Sequence, residues 1–394
     1  MKMDQALESD KNSTHRAEVV EVNFRKHENA DSLSVTEVFG GYTYVGRNED
    51  WAGVKKGVFI PPDSLVDVRR PEFAFLGESA NPDGYARIKA RRLRGVVSYG
   101  LMIPVPDGAT VGEDWADRLG ILHYNPPEKH EQARGDKLGL GAEDASGPDV
   151  VAYKYDLEAF LRYHYGFVEG EPVYCHEKAD GTSFRAVFWG ERMHCGSRTN
   201  WKKQFPTFDH VTVDGLVARG VPPERAQEIA ERVRSRPAQK NVYWDALERN
   251  PVVEQFCREH PGVVVYGEVA GNTNCIKYGF PEGNRLFVFD LLRDGRWVNA
   301  EEARAWTDDY DSFPWVPCLK EDGTATEDGR LLQAVPYSLD LVKRLAEGPT
   351  AIKGAKAGVI REGCVVRPKS ERTEGRGWRL CLKCINPDFL QKHR

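Results

Sequence analysis

Lys178 opens the motif Lys178-Ala179-Asp180-Gly181, a spacing that could carry covalent chemistry. The motif follows the apolar run EPVYC and precedes TSFRAVFWG, so we expect it at a strand end that leads into a turn. Asp180 suits that turn through local hydrogen bonds, and Gly181 suits it through its tolerance of positive φ. A lysine becomes nucleophilic when burial or a nearby cation lowers its pKa. Alone, however, this pattern is more typical of a solvated surface turn.

Three further charged residues interrupt apolar, strand-like runs later in the chain. Glu268 lies in YGEVAG, Glu362 in GVIREGCVVRP and Lys383 in WRLCLKCINPDF. A buried charge is costly unless it is paired or used. Each residue alone could be a solvated charge on an edge strand. Their recurrence at predicted strand ends, together with the Lys178 motif, indicates a site.

Strand alternation predicts which neighbours share a face with these residues. Phe287 and Phe289 in LFVFDLL should lie on one face of a strand, because successive side chains alternate. By the same rule, Arg379 and Cys381 should share the strand face of Lys383.

The composition is that of an ordinary globular protein. The 394 residues are 40% hydrophobic and 29% charged, with a net charge of −5, so any nucleic-acid binding must come from local basic patches. No apolar run approaches the roughly 20 residues that a membrane helix needs. The polar N-terminus MKMDQALESDKNSTHR lacks a signal-peptide core, and we therefore expect a cytoplasmic protein without a membrane partner.

Composition separates three regions that could position these residues. Residues 1–125 form an N-terminal domain, in which short alternating runs and frequent turns from residue 17 onward predict a small closed barrel. Residues 126–150 are rich in Pro, Gly and charge and are predicted to be a linker. Residues 151–394 alternate helices (156–165, 224–236) with strands (263–271, 285–293, 358–368). This pattern favours an α+β domain with a largely antiparallel sheet.

The cysteines do not predict a metal site. The chain has eight cysteines, and single ones in apolar contexts are expected to be reduced core residues. Cys381 and Cys384 form one C-x-x-C, but a structural zinc site needs four ligands and no second pair lies at a suitable spacing.

The order of the segments resembles that of the covalent nucleotidyltransferase superfamily, which includes ATP-dependent polynucleotide ligases and mRNA capping enzymes. The similar motifs are, in chain order, EKADG, SRT, YGEVAG, LFVFDLL, EGCVV and LKCIN. They span most of residues 151–394, and the ordered set is far more specific than any single motif. The resemblance implies an adenylation domain of the ATP-grasp-like ligase type with antiparallel sheets.

The resemblance also implies catalytic roles. Lys178 would attack the α-phosphate of ATP and become lysyl-AMP, while Lys383 would neutralise charge on that phosphate. Glu362 would hold Mg²⁺ or Mn²⁺ near it, and Glu268 is a second metal candidate. These roles suit phosphoryl chemistry, in which cations must converge on negatively charged oxygens.

Nucleotide-binding roles follow from the same resemblance. Phe289 would stack on the adenine, Glu177 would flank it, Glu268 would bind the ribose hydroxyls, and Arg198 would contact phosphate or a polynucleotide end. Asp180, Gly181 and Arg379 complete the implied nucleotide-binding set. One departure concerns the last motif, because related RNA ligases have K-x-K and this chain has Ile385 at the second position. Arg379 is the candidate substitute.

The N-terminal domain narrows the choice within the superfamily. Only 11 residues follow Lys383, so we expect no C-terminal barrel of the kind found in DNA ligases and capping enzymes. Residues 27–38 and 90–104 resemble the tRNA-binding OB-fold module of some aminoacyl-tRNA synthetases. The stretch 85–99 lacks acids and carries five cations that suit a phosphate backbone: Arg87, Lys89, Arg91, Arg92 and Arg94.

An OB-fold followed by a nucleotidyltransferase resembles one group of RNA ligases. The resemblance implies joining of 3′-OH and 5′-phosphate ends, typically at nicks in a duplex with RNA on the 3′-OH side. The implied partners are nicked or broken RNA or RNA/DNA duplexes, and no obligate protein partner is evident. The alternatives are a DNA ligase, a capping-type guanylyltransferase, or a catalytically inactive tRNA- or RNA-binding protein.

Overall fold

The computed structural model describes residues 15–106, 108–124, 144–205, 208–235, 240–326, 329–374 and 378–393. The chain divides into two compact units. The first contains the described residues of 1–126, 158–165 and 384–394, and the second those of 127–157 and 166–383. Two short stretches of the predicted C-terminal domain therefore group with the first unit. Positions 126–143 of the predicted linker 126–150 lie outside the described residues.

The first unit is built mainly from short antiparallel strands. They form three-stranded sheets β1-β5-β10, β11-β6-β7 and β2-β3-β4 and a hairpin β8-β9. Their bounds are β1 Glu18–Glu21, β2 Arg25–Lys26, β3 Leu33–Val38, β4 Tyr42–Arg47, β5 Lys56–Ile60, β6 Ser64–Asp67, β7 Tyr85–Arg87, β8 Arg91–Leu93, β9 Val96–Ser98, β10 Leu101–Pro104 and β11 Leu122–His123, and the unit also holds β12 Glu158–Ala159.

The second unit contains two larger sheets. One has the order β16-β15-β14-β17-β18-β19, and the other includes β23-β22-β13-β20, with β21 also pairing with β13. The bounds are β13 Pro172–Lys178, β14 Gly181–Trp189, β15 Arg192–Gly196, β16 Trp201–Lys202, β17 Val264–Ala270, β18 Arg285–Arg293, β19 Arg296–Trp297, β20 Cys318–Leu319, β21 Val335–Pro336, β22 Gly363–Pro368 and β23 Leu382–Ile385. The pairs of the first sheet are antiparallel, as are those of β13 with β20, β21 and β22.

Helices cover one face of the first of these sheets. Phe184 and Val265 on the sheet pack in one core with Leu247 and Phe256 on two helices. The α-helices of the described chain are α1 Asn48–Trp51, α2 Ala116–Leu119, α3 Phe160–Tyr163, α4 Val213–Val217, α5 Pro223–Arg234, α6 Val242–Glu248, α7 Pro251–Glu259, α8 Ala300–Ala305, α9 Leu339–Ala346 and α10 Pro387–His393, and two 3₁₀ segments are Pro71–Ser79 and His164–Gly166. Within the described residues, no helix is long and apolar enough to cross a membrane.

Two predicted elements differ from the structure. The helix predicted at 156–165 is limited to α3 and a 3₁₀ turn, because Glu158–Ala159 form a strand instead. The strand predicted at 358–368 begins only at Gly363, after the residues around Gly358, which takes a positive φ of 81°. Glu362 therefore precedes the strand and does not interrupt it.

Candidate active site

Lys178 is the last residue of β13, at the point where the chain leaves one sheet for the other. Its Cα is paired with that of Gly363, so Glu362 lies beside it. The Lys178 Nζ donates a hydrogen bond of 2.8 Å to Glu362 Oε2. The lysine side chain is 23% exposed and the Glu362 side chain 1% exposed. The amine is thus accessible to a ligand while its acidic partner is buried.

Asp180 anchors the crossing between the two sheets. Its carboxylate accepts hydrogen bonds from Asn274 Nδ2 and from the Ile276 amide, both at 2.6 Å. Its own amide donates to the Tyr278 hydroxyl at 3.0 Å. Because the Asp180 side chain is buried and bonded to the chain, it fixes the backbone next to Lys178.

Gly181 begins β14, and the prediction that it serves a turn through positive φ is wrong. It is absent from the positive-φ glycines of the described chain. Instead, a Cβ at this position would lie 2.2 Å from the Val269 carbonyl oxygen, so close backbone approach requires glycine. The Gly181 amide also donates to Glu268 Oε1 at 3.1 Å.

Glu268 lies on β17 opposite Ser183 on one side and Phe287 on the other. Burial raises the pKa of its carboxyl group to about 8; the charge of Lys178 opposes this shift, and the charges of Glu362 and Asp180 add to it. The acids therefore lie close enough to Lys178 and to each other to interact. Such crowding of carboxylates favours a cation ligand.

A β-bulge sets the position of Phe289. Gly267 pairs with Val288 and Tyr266 with Asp290, which leaves Phe289 as an extra residue on β18. The Phe289 ring lies 4.6 Å from the Tyr155 ring, centroid to centroid. Simple alternation therefore does not hold from Phe287 through Asp290.

Asp290, which follows the bulge, is the centre of a buried ion-pair network. Arg367 Nη1 lies 2.9 Å from Oδ1, and Arg379 Nη1 lies 2.6 Å from Oδ2. The Tyr155 hydroxyl also donates to Oδ2 at 2.6 Å. Burial alone would raise the pKa of Asp290, but the two guanidinium groups hold it well below its usual value. The network links β18 and β22 to the segment before β23.

The predicted placement of Arg379 and Cys381 on the Lys383 strand face is wrong. β23 begins only at Leu382, and the Cys381 amide donates to the Arg379 carbonyl at 2.9 Å, so the chain bends before the strand. The Arg379 guanidinium is held by Asp290 and Glu371. The structure thus assigns Arg379 to the buried network.

Glu177 is also bonded to the chain itself. It is 1% exposed, and its carboxylate accepts from the Ala351 amide at 2.6 Å and from the Thr350 hydroxyl. Burial raises the pKa of this carboxyl group. Glu177 therefore holds the 350–351 segment beside the strand that ends at Lys178.

Arg198 and Lys383 meet at one carboxylate that the sequence did not indicate. Arg198 Nη1 lies 3.8 Å from Asp156 Oδ2, and Lys383 Nζ lies 3.9 Å from Asp156 Oδ1. Other residues missed from sequence are Asn274, Tyr278, Thr350, Asp290 and Arg367. The polar stretch NTNCIKYG after YGEVAG was an available signal for the first two, but nothing local distinguished the others.

The acids suit a metal site that substrate phosphates complete better than a site formed by protein side chains alone. In the described part of the chain, no three His, Cys, Asp or Glu side chains converge to hold a metal ion. Glu268 and Glu362 supply the hard oxygen donors that Mg²⁺ or Mn²⁺ prefers, and Mg²⁺ is commonly held by one or two carboxylates together with substrate phosphates.

The five predicted nucleic-acid cations differ in their surroundings. Arg87 pairs with Asp63 and lies over the Tyr124 ring, and Arg92 donates to Asp388 Oδ1 at 2.9 Å. Arg87 is partly buried, whereas Arg92 is exposed, as are the remaining three, Lys89, Arg91 and Arg94. Along residues 86–91 the cations alternate with buried Ala86, Ile88 and Ala90. Arg94 lies in the turn of the β8-β9 hairpin, where it and Gly95 take positive φ.

Comparison with known proteins supports both units. The RNA ligase family model matches residues 171–385, and an OB-fold domain model, PHA02142, matches residues 18–105. No curated protein matches the chain in sequence.

The fold is shared with Naegleria gruberi RNA ligase. A lysine-to-alanine mutant of that enzyme, solved with ATP and Mn, is 19% identical, with a TM-score of 0.68 over 95% of this chain and 98% of that one. The same enzyme solved with pyrophosphate is 19% identical, with a TM-score of 0.67 over 97% and 99% of the two chains. The family match extends over more than half of the 394 residues. The chain therefore belongs to the RNA ligase family and carries an N-terminal OB-fold domain.

Proposed function

We propose that this chain is an ATP-dependent RNA ligase that joins 3′-OH and 5′-phosphate ends through a lysyl-AMP intermediate. The observation that carries the proposal is the accessible Lys178 amine at the sheet crossing, 2.8 Å from buried Glu362. Naegleria gruberi RNA ligase has been solved with ATP and Mn, with AMP and Mn, and with pyrophosphate. ATP is the substrate of lysine adenylylation, pyrophosphate is its leaving group, and AMP is released when the ends are joined.

The reaction has three steps. Lys178 Nζ attacks the α-phosphorus of ATP, the bond to the β-phosphate oxygen breaks, and pyrophosphate leaves. The AMP then passes to a 5′-phosphate end, which forms a 5′–5′ pyrophosphate and frees the lysine. Finally the 3′-OH attacks that 5′-phosphate, AMP leaves, and a phosphodiester bond remains.

The residues of the site suit these steps. Glu362 accepts the Lys178 hydrogen bond and so directs the amine, whose proton must leave before attack. Arg198 and Lys383 bring positive charge to phosphoryl oxygens. A divalent cation on Glu268 and Glu362, when bound, would neutralise further charge on the phosphates. Phe289 offers a ring for the adenine, next to Tyr155.

The substrate is proposed to be a nick in a duplex with RNA on the 3′-OH side. The exposed Lys89, Arg91 and Arg94 of the OB-fold unit support a nucleic-acid surface there. The rivals are a DNA ligase, a capping-type guanylyltransferase and an inactive RNA-binding protein. These rivals would differ from an RNA ligase in the nucleotide that they use, in the product that they form, or in whether a nucleotide labels the protein covalently.

Covalent labelling tests the nucleophile. Incubation with α-³²P-ATP and Mn²⁺ should label the protein on a denaturing gel, and Lys178→Met should lose the label. Lys369→Met is a matched control, because that lysine is exposed and pairs with Glu301. Labelling by GTP would favour a capping enzyme, and labelling of the Lys178 variant would refute the assigned nucleophile.

Sealing assays test the substrate. Nicked duplexes should be joined when the 3′-OH strand ends in RNA. Comparing RNA with DNA on the 5′-phosphate strand identifies which of the two the enzyme accepts there. Equal sealing of an all-DNA nick would favour the DNA ligase. Absence of any nucleotide label together with retained RNA binding would favour the inactive binding protein.

A further inference from the structure

Asp156 lies between two cations that come from distant parts of the chain. Arg198 lies in the loop between β15 and β16, and Lys383 lies in β23. The distances to the single Asp156 carboxylate are 3.8 Å and 3.9 Å. Three separate segments of the second unit therefore converge on one small volume, with two positive groups around one negative group.

The contact is of a kind that another anion can replace. Both distances exceed the 2.7–3.2 Å typical of a hydrogen bond between nitrogen and oxygen. The Asp156 side chain is 51% exposed, while those of Arg198 and Lys383 are 26% and 32% exposed. Exposed ion pairs contribute little stability, because water screens them. The cations are thus less exposed to water than the acid that they share.

A phosphate group is the natural competitor for this position. Two cationic nitrogens within about 4 Å of one carboxylate can also face a single phosphate, which carries more negative charge and more acceptor oxygens. Guanidinium and ammonium groups are the two side chains that proteins use most for phosphate.

We propose that Asp156 is the resident anion of the phosphate site to which the proposed function assigns Arg198 and Lys383, and that an incoming phosphate displaces it. This inference rests on the proposed function, because the phosphate belongs to ATP or to a 5′-phosphate end. Asp156 competes with the ligand for the two cations. It holds them at the site before the ligand arrives, and it weakens ligand binding by the same interaction.

Asp156→Asn tests the competition, because it removes the charge and keeps the shape. The probes are inorganic pyrophosphate, measured by calorimetry, and a 5′-phosphorylated oligonucleotide compared with its 5′-hydroxyl form. Loss of two exposed ion pairs should tighten phosphate binding by about 2- to 30-fold. Asp149→Asn is the matched control, since Asp149 is an exposed acid of the same segment, and it should not change binding.

A double-mutant cycle tests whether Asp156 acts through the two cations. The gain from Asp156→Asn should disappear in a chain that also carries Arg198→Gln and Lys383→Gln. Tightening for pyrophosphate alone would assign the subsite to the nucleotide, and tightening for the 5′-phosphate alone would assign it to the polynucleotide end. Either result supports the inference.

Two results would overturn it. Unchanged or weaker phosphate binding by Asp156→Asn, with an unchanged thermal midpoint, would make Asp156 a positioning group. A gain that persists without the two cations would locate its effect elsewhere. Failure of the proposed function is distinguishable, because it would appear as wild-type protein that ATP does not label, while pyrophosphate binding still reports on the subsite.

Discussion

At the scale of single residues, the site depends on buried charges that hold other groups in place. Asp290 is 1% exposed and is bonded to Arg367, Arg379 and Tyr155. Arg367 also donates to the Phe289 carbonyl at 3.0 Å. Since Tyr155 contacts the Phe289 ring as well, the network positions the candidate adenine-stacking residue.

Asp290→Asn should destabilise the protein by about 3–5 kcal/mol at pH 7, because it removes the buried carboxylate that Arg367 and Arg379 share. The pKa of Asp290 is held below its usual value, so its ionised form stabilises the folded state above about pH 3.9. That contribution is lost as the pH falls toward the folded-state pKa. The difference between wild type and variant should therefore shrink below about pH 4, which urea unfolding across pH measures.

The exposed acid Asp294 provides the control for this prediction. It lies just beyond the end of β18 with a side chain that is 89% exposed, and it takes a positive φ that asparagine tolerates. Asp294→Asn should change the free energy of unfolding by less than about 0.5 kcal/mol. A similar loss in both variants would show that the Asp290 network adds no specific stability.

At the scale of elements, the sequence predicted much of the frame around the site. The predicted strand 285–293 has the bounds of β18. The strand predicted to end near Lys178 is β13, and the chain crosses to the other sheet directly after it. The bulge at Phe289 was not predictable, since it depends on how β18 pairs with β17. The placement of Arg379 failed for a similar reason, because partners at residues 290 and 371 decide where its side chain lies.

Asp156 shows the limit of local patterns. The run DLEAFLRYHY has helical spacing, yet α3 covers only Phe160–Tyr163, and Asp156 lies outside the helix beside Arg198 and Lys383. Its neighbours are about 40 and more than 200 positions away along the chain, and no periodicity connects them.

Gly181→Ala should disrupt the crossing between the sheets. The new Cβ would lie 2.2 Å from a backbone oxygen of β17, so one strand must shift. We expect a loss of about 1–3 kcal/mol in the free energy of unfolding. We also expect slower labelling of Lys178, by up to about 10²-fold, because small displacements of a nucleophile are costly. Denaturant unfolding and the rate of ATP labelling measure the two effects.

Gly77→Ala is the matched change, since nothing lies within 4 Å of a Cβ at that position. Gly77→Ala should alter neither the free energy of unfolding nor the rate of labelling by ATP. Wild-type labelling by Gly181→Ala would mean that the close approach to Val269 has no influence on the position of Lys178.

At the scale of the whole molecule, charge is unevenly distributed. The chain carries a net charge of −5, yet Lys89, Arg91 and Arg94 are exposed together in the OB-fold unit. In the proposed reaction, transfer of AMP to Lys178 involves only ATP, whereas the later steps need a polynucleotide. Because one chain holds both units, the proposed contacts of the OB-fold unit with nucleic acid would raise the effective concentration of that nucleic acid for the ligase unit.

The triple variant Lys89→Gln, Arg91→Gln and Arg94→Gln should therefore separate the two activities. We expect weaker binding of a nicked duplex and a salt-dependence slope smaller by about 2 to 3, because each phosphate contact contributes about 0.7 to 0.9. The rate of lysine labelling by ATP should be unchanged. Binding assays across salt concentrations measure the first effect and gel labelling the second. Arg225→Gln with Arg232→Gln, two exposed changes on α5, is the control. An unchanged slope in the triple variant would assign nucleic-acid binding to another surface.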